Sequence, residues 1–510
     1  MKNNYIKKTI QLIFFAFVAK GLGFVREMVL ANYYGANYVS DVFVVVQNIP
    51  AVIFAMFGTA VTTGFIPLYS ELKVKNGKSE AHKFMNNVFN IFFFVAIVLT
   101  VLGIVFSKEL VLIFAGGFSG KTYALCNQFA KIIMPSSIAI ILVYVYNAYL
   151  QTEGYFNQNS LMNVPYNVIQ ILFIMAAFYI KNIYLLAIGI LLSSFGQLFY
   201  LKFLMARKTN FKHKIGVKFN DPTIIKMLIL VGPVFISTAI NQLNTIIDRS
   251  LASGLIEGSA SALNYANEVT NIVTQVIILS LTTILYPKLT ELYAQNSNDK
   301  NEFTENYIQI VSLLVFPLSA IIFVLSKEIV QILFGRGAFT EETVLFVSRA
   351  LKIYALGIAG ASFRDVLNKV FYAMKNTVIP MINGGITVCM NIILNLLLIR
   401  QFKYLGLAAA TAIAATVCTI LLMVQLMKKN KDLKLELLIK TMCKHIIATV
   451  IMFIISQNVY KFIFIENAII KFIFIGVIAV VVYIGILIII KESVVIKTKD
   501  NLINRIRGNK

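Results

Sequence analysis

Apolar residues in this chain run on in long blocks, each roughly 18 residues or more, separated by short polar breaks. A block of that length, helical at ~1.5 Å per residue, crosses a ~30 Å hydrocarbon core. The blocks fall at roughly 9–33, 41–69, 88–107, 128–150, 162–181, 184–205, 224–247, 262–287, 305–326, 345–373, 377–399, 405–427, 441–460 and 468–490. They predict an all-α polytopic membrane protein of about 14 transmembrane helices. Of its 510 residues, 58% are hydrophobic and 14% charged, whereas a soluble domain carries about 25% charged residues. A soluble globule is thereby excluded. Lys2, Lys7 and Lys8 precede the first block as in a signal peptide. That block continues through Lys20, Arg26 and Glu27 without a small-residue cleavage site and is expected to stay as the first span.

Lys and Arg number 46 against 23 Asp and Glu. The basic residues concentrate in the connections, with no zinc-finger, recognition-helix or RNA-binding signature beside them, so nucleic acid is not an expected partner. They serve instead as orientation signal and lipid contact. With a cytoplasmic N-terminus, Lys73–Lys83, Lys202–Lys226, Lys428–Lys444 and Lys491–Lys510 share the cytoplasmic side with more than half of all 46 basic residues. The positive-inside rule then predicts both termini in the cytoplasm. Tryptophan is absent, leaving Tyr and Phe for any interfacial belt. Cys126, Cys389, Cys418 and Cys443 show no metal-ligand spacing and read as packing residues.

Two motifs recur at one offset of about 220 residues. Ser107-Lys108-Glu109-Leu110-Val111 returns as Ser326-Lys327-Glu328-Ile329-Val330, and Pro67 with Ser70-Glu71-Leu72 returns as Pro287 with Thr290-Glu291-Leu292. A fixed period marks duplication, and internal repeats are the usual trace of transporter folds. The expected organisation is a six-helix lobe at 1–215, a second at 216–430, and two extra helices with a basic cytoplasmic tail at 431–510. Six spans per half put both halves in one orientation, as parallel repeats about a central cleft, with alternating access as the default mechanism.

A charge at the bilayer centre costs at least ~2.5–3.5 kcal/mol and normally faces a bundle interior or wet cavity. On the first span Lys20 and Glu27 share a helical face, with Arg26 about 100° from Glu27; Asp41 opens the second. One reading makes Lys20 and Arg26 a cationic wall for an anionic substrate, Arg being suited to bidentate phosphate contact. The other places Arg26 and Glu27 at the outer interface, paired with Asp41. Later spans carry Asp248, Arg249, Glu268, Arg349, Lys352, Arg364, Asp365 and Lys369. Arg364 and Asp365 are adjacent and can neutralise each other, while Arg349 and Lys352 can extend the basic surface. Asn391 and Asn395, four apart, share a face near Thr411. With the Asp248 carboxylate they offer oxygen donors for a small cation, or else they hydrogen-bond between helices.

Nothing points to an enzyme: there is no phosphate-binding glycine loop and no insert long enough for an ATP-binding domain. His82, His213 and His445 fall in basic connections and are expected to be solvated. Transport is then expected to draw on an ion gradient or the membrane potential. Pro135, Pro165, Pro233, Pro317 and Pro380 lie within or at the ends of spans, where they permit bends.

The string Gly21-Leu22-Gly23-Phe24-Val25-Arg26-Glu27, with Gly35-Ala36, Asp41-Val42-Phe43, Asn48 to Pro50 and Gly64-Phe65-Ile66-Pro67, resembles the MurJ (MviN) lipid II flippases of the multidrug/oligosaccharidyl-lipid/polysaccharide exporter superfamily. Asp248-Arg249 followed by Leu251-Ala252-Ser253, and Phe371-Tyr372-Ala373 followed by Asn376-Thr377 and Pro380, fit as well. The resemblance implies a bacterial cell-membrane protein that flips an undecaprenyl-pyrophosphate-linked peptidoglycan precursor to the outer leaflet, with cell-wall synthesis proteins as candidate partners. It implies substrate contacts at Lys20 and Arg26 with Asp41 at the family's acidic position, and a sodium site at Asp248, Asn391, Asn395 and Thr411; Glu268 and Arg364, charged residues within later spans, are further candidate substrate-binding residues. The lipid tail would lie beside the two extra helices.

The chain also departs from the family. Phe54 and Ala55 stand where many members carry arginine, and Glu268 follows Tyr265-Ala266-Asn267 where another is common. A different polyprenyl-linked oligosaccharide, of capsular, teichuronic or O-antigen type, is therefore a second candidate cargo. A cation-coupled drug exporter predicts no extra helix pair, and a non-transporting scaffold leaves Lys20 and Arg26 without a role.

Overall fold

The computed structural model describes residues 2–156, 161–218 and 220–492; the basic tail beyond Glu492 lies outside them. Among the described residues the regular structure is helical throughout. Nine helices have the length and apolarity to cross a membrane, or up to twelve when each of three bent pairs counts as one span. The chain divides into two compact units. One comprises Met1–Ser261 with Gly337–Phe339, the other Ala262–Arg336 with Thr340–Lys510.

The first unit contains α1 (Lys2–Tyr34), α2 (Tyr38–Lys75), α3 (Gly77–Val105), α4 (Ser107–Ala115), α5 (Gly120–Ile133), α6 (Ser136–Thr152), α7 (Asn163–Tyr179), α8 (Tyr184–Lys208) and α9 (Pro222–Ser253). Helix α2 is its hub, packing on α3, α5, α6 and α9, while α1 packs on α7 and α7 on α8. Asn37 starts α2 with a capping box: its side chain accepts from the Val39 and Ser40 amides, and its own amide donates to Ser40 Oγ. Two of the orphan donors of a helix start are thereby satisfied. The block expected at 128–150 is interrupted at Met134-Pro135, where α5 and α6 meet at a 48° bend. Proline removes the ladder bond there and clashes with the preceding turn.

Phe65, Tyr69, Phe84 and Tyr149 form a buried aromatic cluster near the α2–α3 connection, Phe65 stacking on Phe84 at 5.5 Å. Above it Glu153 accepts from Tyr69 at 3.0 Å and Lys73 at 2.8 Å and pairs with Lys78 at 3.2 Å. Burial alone raises the Glu153 carboxyl, but hydrogen bonds from Lys73, Lys78 and Tyr69 outweigh it and hold the group below its ordinary value. A carboxyl depressed in the folded state stabilises the fold above its ordinary value, a contribution lost as pH falls through the lower folded value. The difference in Tm between wild type and Glu153→Gln, in detergent, is therefore expected to shrink on acidification from about pH 6 to about pH 3. A difference that stays constant would show that Glu153 does not titrate with the fold.

The second unit contains most of α10 (Ser259–Ala294), then α11 (Lys300–Val324), α12 (Ser326–Phe334), α13 (Glu341–Ala373), α14 (Val378–Phe402), α15 (Tyr404–Lys429), α16 (Leu435–Phe462) and α17 (Ala468–Ile489). Helices α13 and α15 pack most closely: a Cβ on Gly357 would sit 2.8 Å from Ala412 Cα, and Thr419 Oγ1 donates to the Gly360 carbonyl at 2.6 Å. In lipid there is no hydrophobic drive between helices, so small residues that let backbones approach supply the dispersion contact.

The duplicated motifs adopt the same local structure. Ser107 and Ser326 each begin a nine-residue helix, after a break at Phe106 (φ −95°, ψ 28°) and Leu325 (φ −95°, ψ 16°). Their surroundings differ. Glu109 is exposed, whereas Glu328 is 4% exposed because the α16–α17 hairpin covers it. Tyr460 donates to Glu328 at 2.7 Å, and the Lys471 ammonium lies 3.6 Å from the same carboxylate and 3.8 Å from the Tyr460 ring centre. At its other end the hairpin is fastened through His445, whose Nδ1 is 2.7 Å from Ser312 Oγ and whose Nε2 is 3.8 Å from Glu492.

His445 is thus not in a solvated connection: both it and Glu492 have side chains fully buried. Helix α16 begins at Leu435, inside the basic stretch, so residue 445 is already on a face packed against α11.

Candidate functional site

In the first unit the charged residues of α1 gather around Arg26. Its Nη2 donates to Glu27 Oε1 at 2.6 Å and its Nη1 to Asn167 Oδ1, on α7, at 3.3 Å. The Arg26 side chain is 14% exposed and that of Glu27 5%. Asn167 is fixed in turn, donating to the Asn163 carbonyl one turn earlier at 2.9 Å and to the Ala19 carbonyl at 3.4 Å. The guanidinium plane is therefore held by two acceptors from two helices, an arrangement that orients a planar donor fork for an anion. Lys20 lies exposed on the same helix.

Asp41 is 3% exposed and faces the start of α10. Its Oδ2 accepts from the Gly258 amide at 2.7 Å, and its Oδ1 accepts from both the Ser261 amide and Ser261 Oγ at 2.7 Å. An acidic group at a helix N-terminus satisfies orphan N–H donors and complements the dipole. Gly258 has φ +86°, and a Cβ there would stand 2.5 Å from the Ala36 carbonyl oxygen, so the turn that delivers those donors requires glycine. The Arg26, Glu27 and Asp41 grouping of the interfacial reading is thus separated in kind: Arg26 and Glu27 pair with each other, and Asp41 caps a helix.

Asp248 is half-buried on α9 in this unit and accepts from Asn244, one turn earlier, at 3.3 Å. In the second unit Asn391, Asn395 and Thr411 are drawn into one chain: Asn395 Nδ2 donates to Asn391 Oδ1 at 2.9 Å, and Asn391 Nδ2 reaches Thr411 Oγ1 at 3.4 Å. The four-residue spacing on α14 delivers this contact directly. Glu268 is half-buried on α10. Arg364 donates to its neighbour Asp365 from Nε and Nη2 at 3.4 and 3.3 Å, both side chains being about a third exposed or more. At that exposure the pair contributes little, within the ~0–1 kcal/mol of surface ion pairs. Phe54, at the position of a family arginine, is fully buried in an apolar cluster with Ala96 and Ile141.

Sequence reasoning did not single out Asn167, nor a cavity of about 220 Å³ close to it, lined by Gln47, Ser136, Tyr144, Asn163, Tyr166 and Gln197 among others. Neutral amides and hydroxyls in apolar blocks give no charge or spacing signal. The recurrence of Asn and Gln through 163–170 was the one available hint.

Comparison with known proteins bears on what this arrangement serves. A family model described as lipid II flippase MurJ matches residues 30–480. The chain is 28% identical over 487 residues to a protein of Rickettsia prowazekii (strain Madrid E) named probable lipid II flippase MurJ, covering 93% of this chain and 95% of that one. A protein of the same name from Vibrio cholerae is 28% identical over 416 residues, 78% of each chain. A solved structure of lipid II flippase MurJ in an inward closed conformation superposes with a TM-score of 0.82 at 24% identity, covering 95% of this chain and all of that one. An inward-facing multidrug resistance MATE transporter gives a TM-score of 0.69 at 14% identity, over 83% and 98% of the two chains. At these identities the two structures show a shared fold.

Proposed function

Because the chain belongs to the lipid II flippase MurJ family, we propose that Arg26 holds the pyrophosphate of an undecaprenyl-linked peptidoglycan precursor while the lipid is moved from the inner to the outer leaflet of the bacterial cell membrane. The observation that supports this role is the fixed, mostly buried guanidinium, braced by Glu27 and Asn167. Arginine's planar fork matches phosphate oxygens bidentately and keeps its charge at every physiological pH. Lys20, exposed on the same helix, adds a second positive charge. In the second unit Glu268 and Arg364 are the further candidates for substrate contact, and in the first Asp41 fixes the start of α10 through Gly258 and Ser261.

Movement proceeds by alternating access, with both termini in the cytoplasm and with an ion gradient or the membrane potential as the energy source. Sodium fits the donor chemistry in the second unit: Asn391, Asn395 and Thr411 carry amide and hydroxyl oxygens, the hard donors an alkali cation takes. When bound, the ion would add a positive charge whose gradient couples to transport.

A second cargo, another polyprenyl-linked oligosaccharide, is favoured by the apolar burial of Phe54 and the acidic Glu268 at positions where the family often has arginine. Complementation of a cell depleted of its lipid II flippase separates the two. Rescue by the wild-type chain supports lipid II as cargo. Absence of rescue, with the protein shown to be expressed and folded, counts against lipid II and turns the test to the second cargo.

A further inference from the structure

The cavity in the first unit lies between α2, α6, α7 and α8 and has a volume of about 220 Å³. That is room for about seven waters at ~30 Å³ each, the bulk of one sugar ring with its substituents. Gln47, Asn163 and Gln197 bring amides, Ser136 a hydroxyl, and Tyr144 and Tyr166 phenols; no carboxylate, ammonium or guanidinium lines it. Gln197 Nε2 donates to Asn163 Oδ1 at 2.9 Å and Gln47 Nε2 to Tyr166 at 3.3 Å. Each pair leaves amide groups to meet a ligand.

Ser136 is fully buried and its hydroxyl has no hydrogen-bond partner among the described residues. A buried hydroxyl with no partner costs about 1–3 kcal/mol unless a ligand or water fills the place. The bend at Met134-Pro135 is what presents it, since Ser136 opens α6.

A chain of hydrogen bonds links the cavity wall to Arg26. Asn163 lines the cavity, and the Asn163 carbonyl accepts from Asn167, which in turn accepts from Arg26. Asn163 and Asn167 are four residues apart on α7, ~6 Å along the axis, the kind of separation that exists between a sugar ring and the phosphate on its anomeric carbon. An alkyl chain is a poor occupant for a pocket rich in unshared amides, and an ion finds no opposite charge there.

We propose that this cavity receives the uncharged sugar ring that adjoins the pyrophosphate of the cargo, its hydroxyl and acetamido groups meeting the Gln47, Asn163, Gln197 and Ser136 side chains while Arg26 takes the phosphate. The inference rests on the flippase reading above and adds to it a specificity site. The pocket reads the first sugar, and the charge reads the lipid phosphate.

The test compares two probes on the full-length protein in nanodiscs: polyprenyl pyrophosphate without sugar, and the same lipid carrying one N-acetylated sugar. Wild type is expected to bind the sugar-bearing lipid about tenfold more tightly. Gln197→Leu removes an amide. Ala51→Leu fills the cavity from an exposed lining position without removing a hydrogen bond. Each is expected to abolish that preference while the affinity for the bare pyrophosphate holds, and Arg26→Ala is expected to weaken both probes. Thermal unfolding of each variant confirms that it is folded. A preference that persists in folded Ala51→Leu, or no preference in wild type, overturns the sugar pocket and leaves the flippase reading standing. Binding of neither probe overturns both.

Discussion

Arg26→Ala is expected to lose the ability to rescue a cell depleted of its lipid II flippase, at expression matched to a rescuing wild type. Two effects combine. The guanidinium that meets the pyrophosphate is gone, and the buried ion pair it makes with Glu27 at 2.6 Å is broken. Breaking a buried pair by removing one member costs about 3–5 kcal/mol, so loss of activity alone does not separate transport from folding. The double variant Arg26→Ala, Glu27→Gln removes the remaining charge. It is expected to recover thermal stability in detergent yet still fail to rescue. Arg26→Lys keeps the charge but not the planar fork and is expected to rescue in part. Full rescue by the stable double variant would remove Arg26 from the substrate path.

Asp41→Ala is expected to lower stability through the start of α10. Its carboxylate accepts three hydrogen bonds at 2.7 Å in a fully buried setting, from Gly258 and twice from Ser261. Alanine leaves the Gly258 and Ser261 amides unmet at about 1–3 kcal/mol each, the Ser261 hydroxyl retaining the Gly258 carbonyl at 3.2 Å, so a loss of at least about 2 kcal/mol is expected as a lower Tm in detergent. Asn retains one acceptor oxygen but sets an N–H against a donor, so Asp41→Asn is expected to fall between. A Tm unchanged in Asp41→Ala would mean that the cap contributes nothing to the fold.

How much of this was readable in the sequence depends on the range over which each feature is determined. The apolar blocks and the duplication are local patterns, and they translate directly: Ser107 and Ser326 start matching short helices at matching breaks, and the Asn391–Asn395 spacing gives the contact it implies. That Arg26 turns into the protein and pairs there follows from the cost of a charge inside an apolar block. Asp41 was not legible in its role, because its donors stand more than 200 residues away at Gly258 and Ser261 and a cap made across the chain has no local signature. His445 was misplaced because basic neighbours at Lys440 and Lys444 mask a face that packs inward. The sugar pocket was invisible for the opposite reason: Gln47, Asn163 and Gln197 are neutral, lie on three different helices, and acquire meaning only when those helices pack.

The two-ended fastening of the α16–α17 hairpin bears on how the chain is made. Glu328, Ser312 and His445 are synthesised before Lys471 and Glu492, and the hairpin brings Glu328 both the Tyr460 hydroxyl and the Lys471 ammonium. Until the last helix is made, Glu328 therefore has the Tyr460 hydroxyl within its chain but not yet the Lys471 ammonium. A chain that stops before α17 lacks both the Lys471 ammonium and the Glu492 carboxylate, so the second unit gains its last two ionic contacts only when synthesis reaches Glu492.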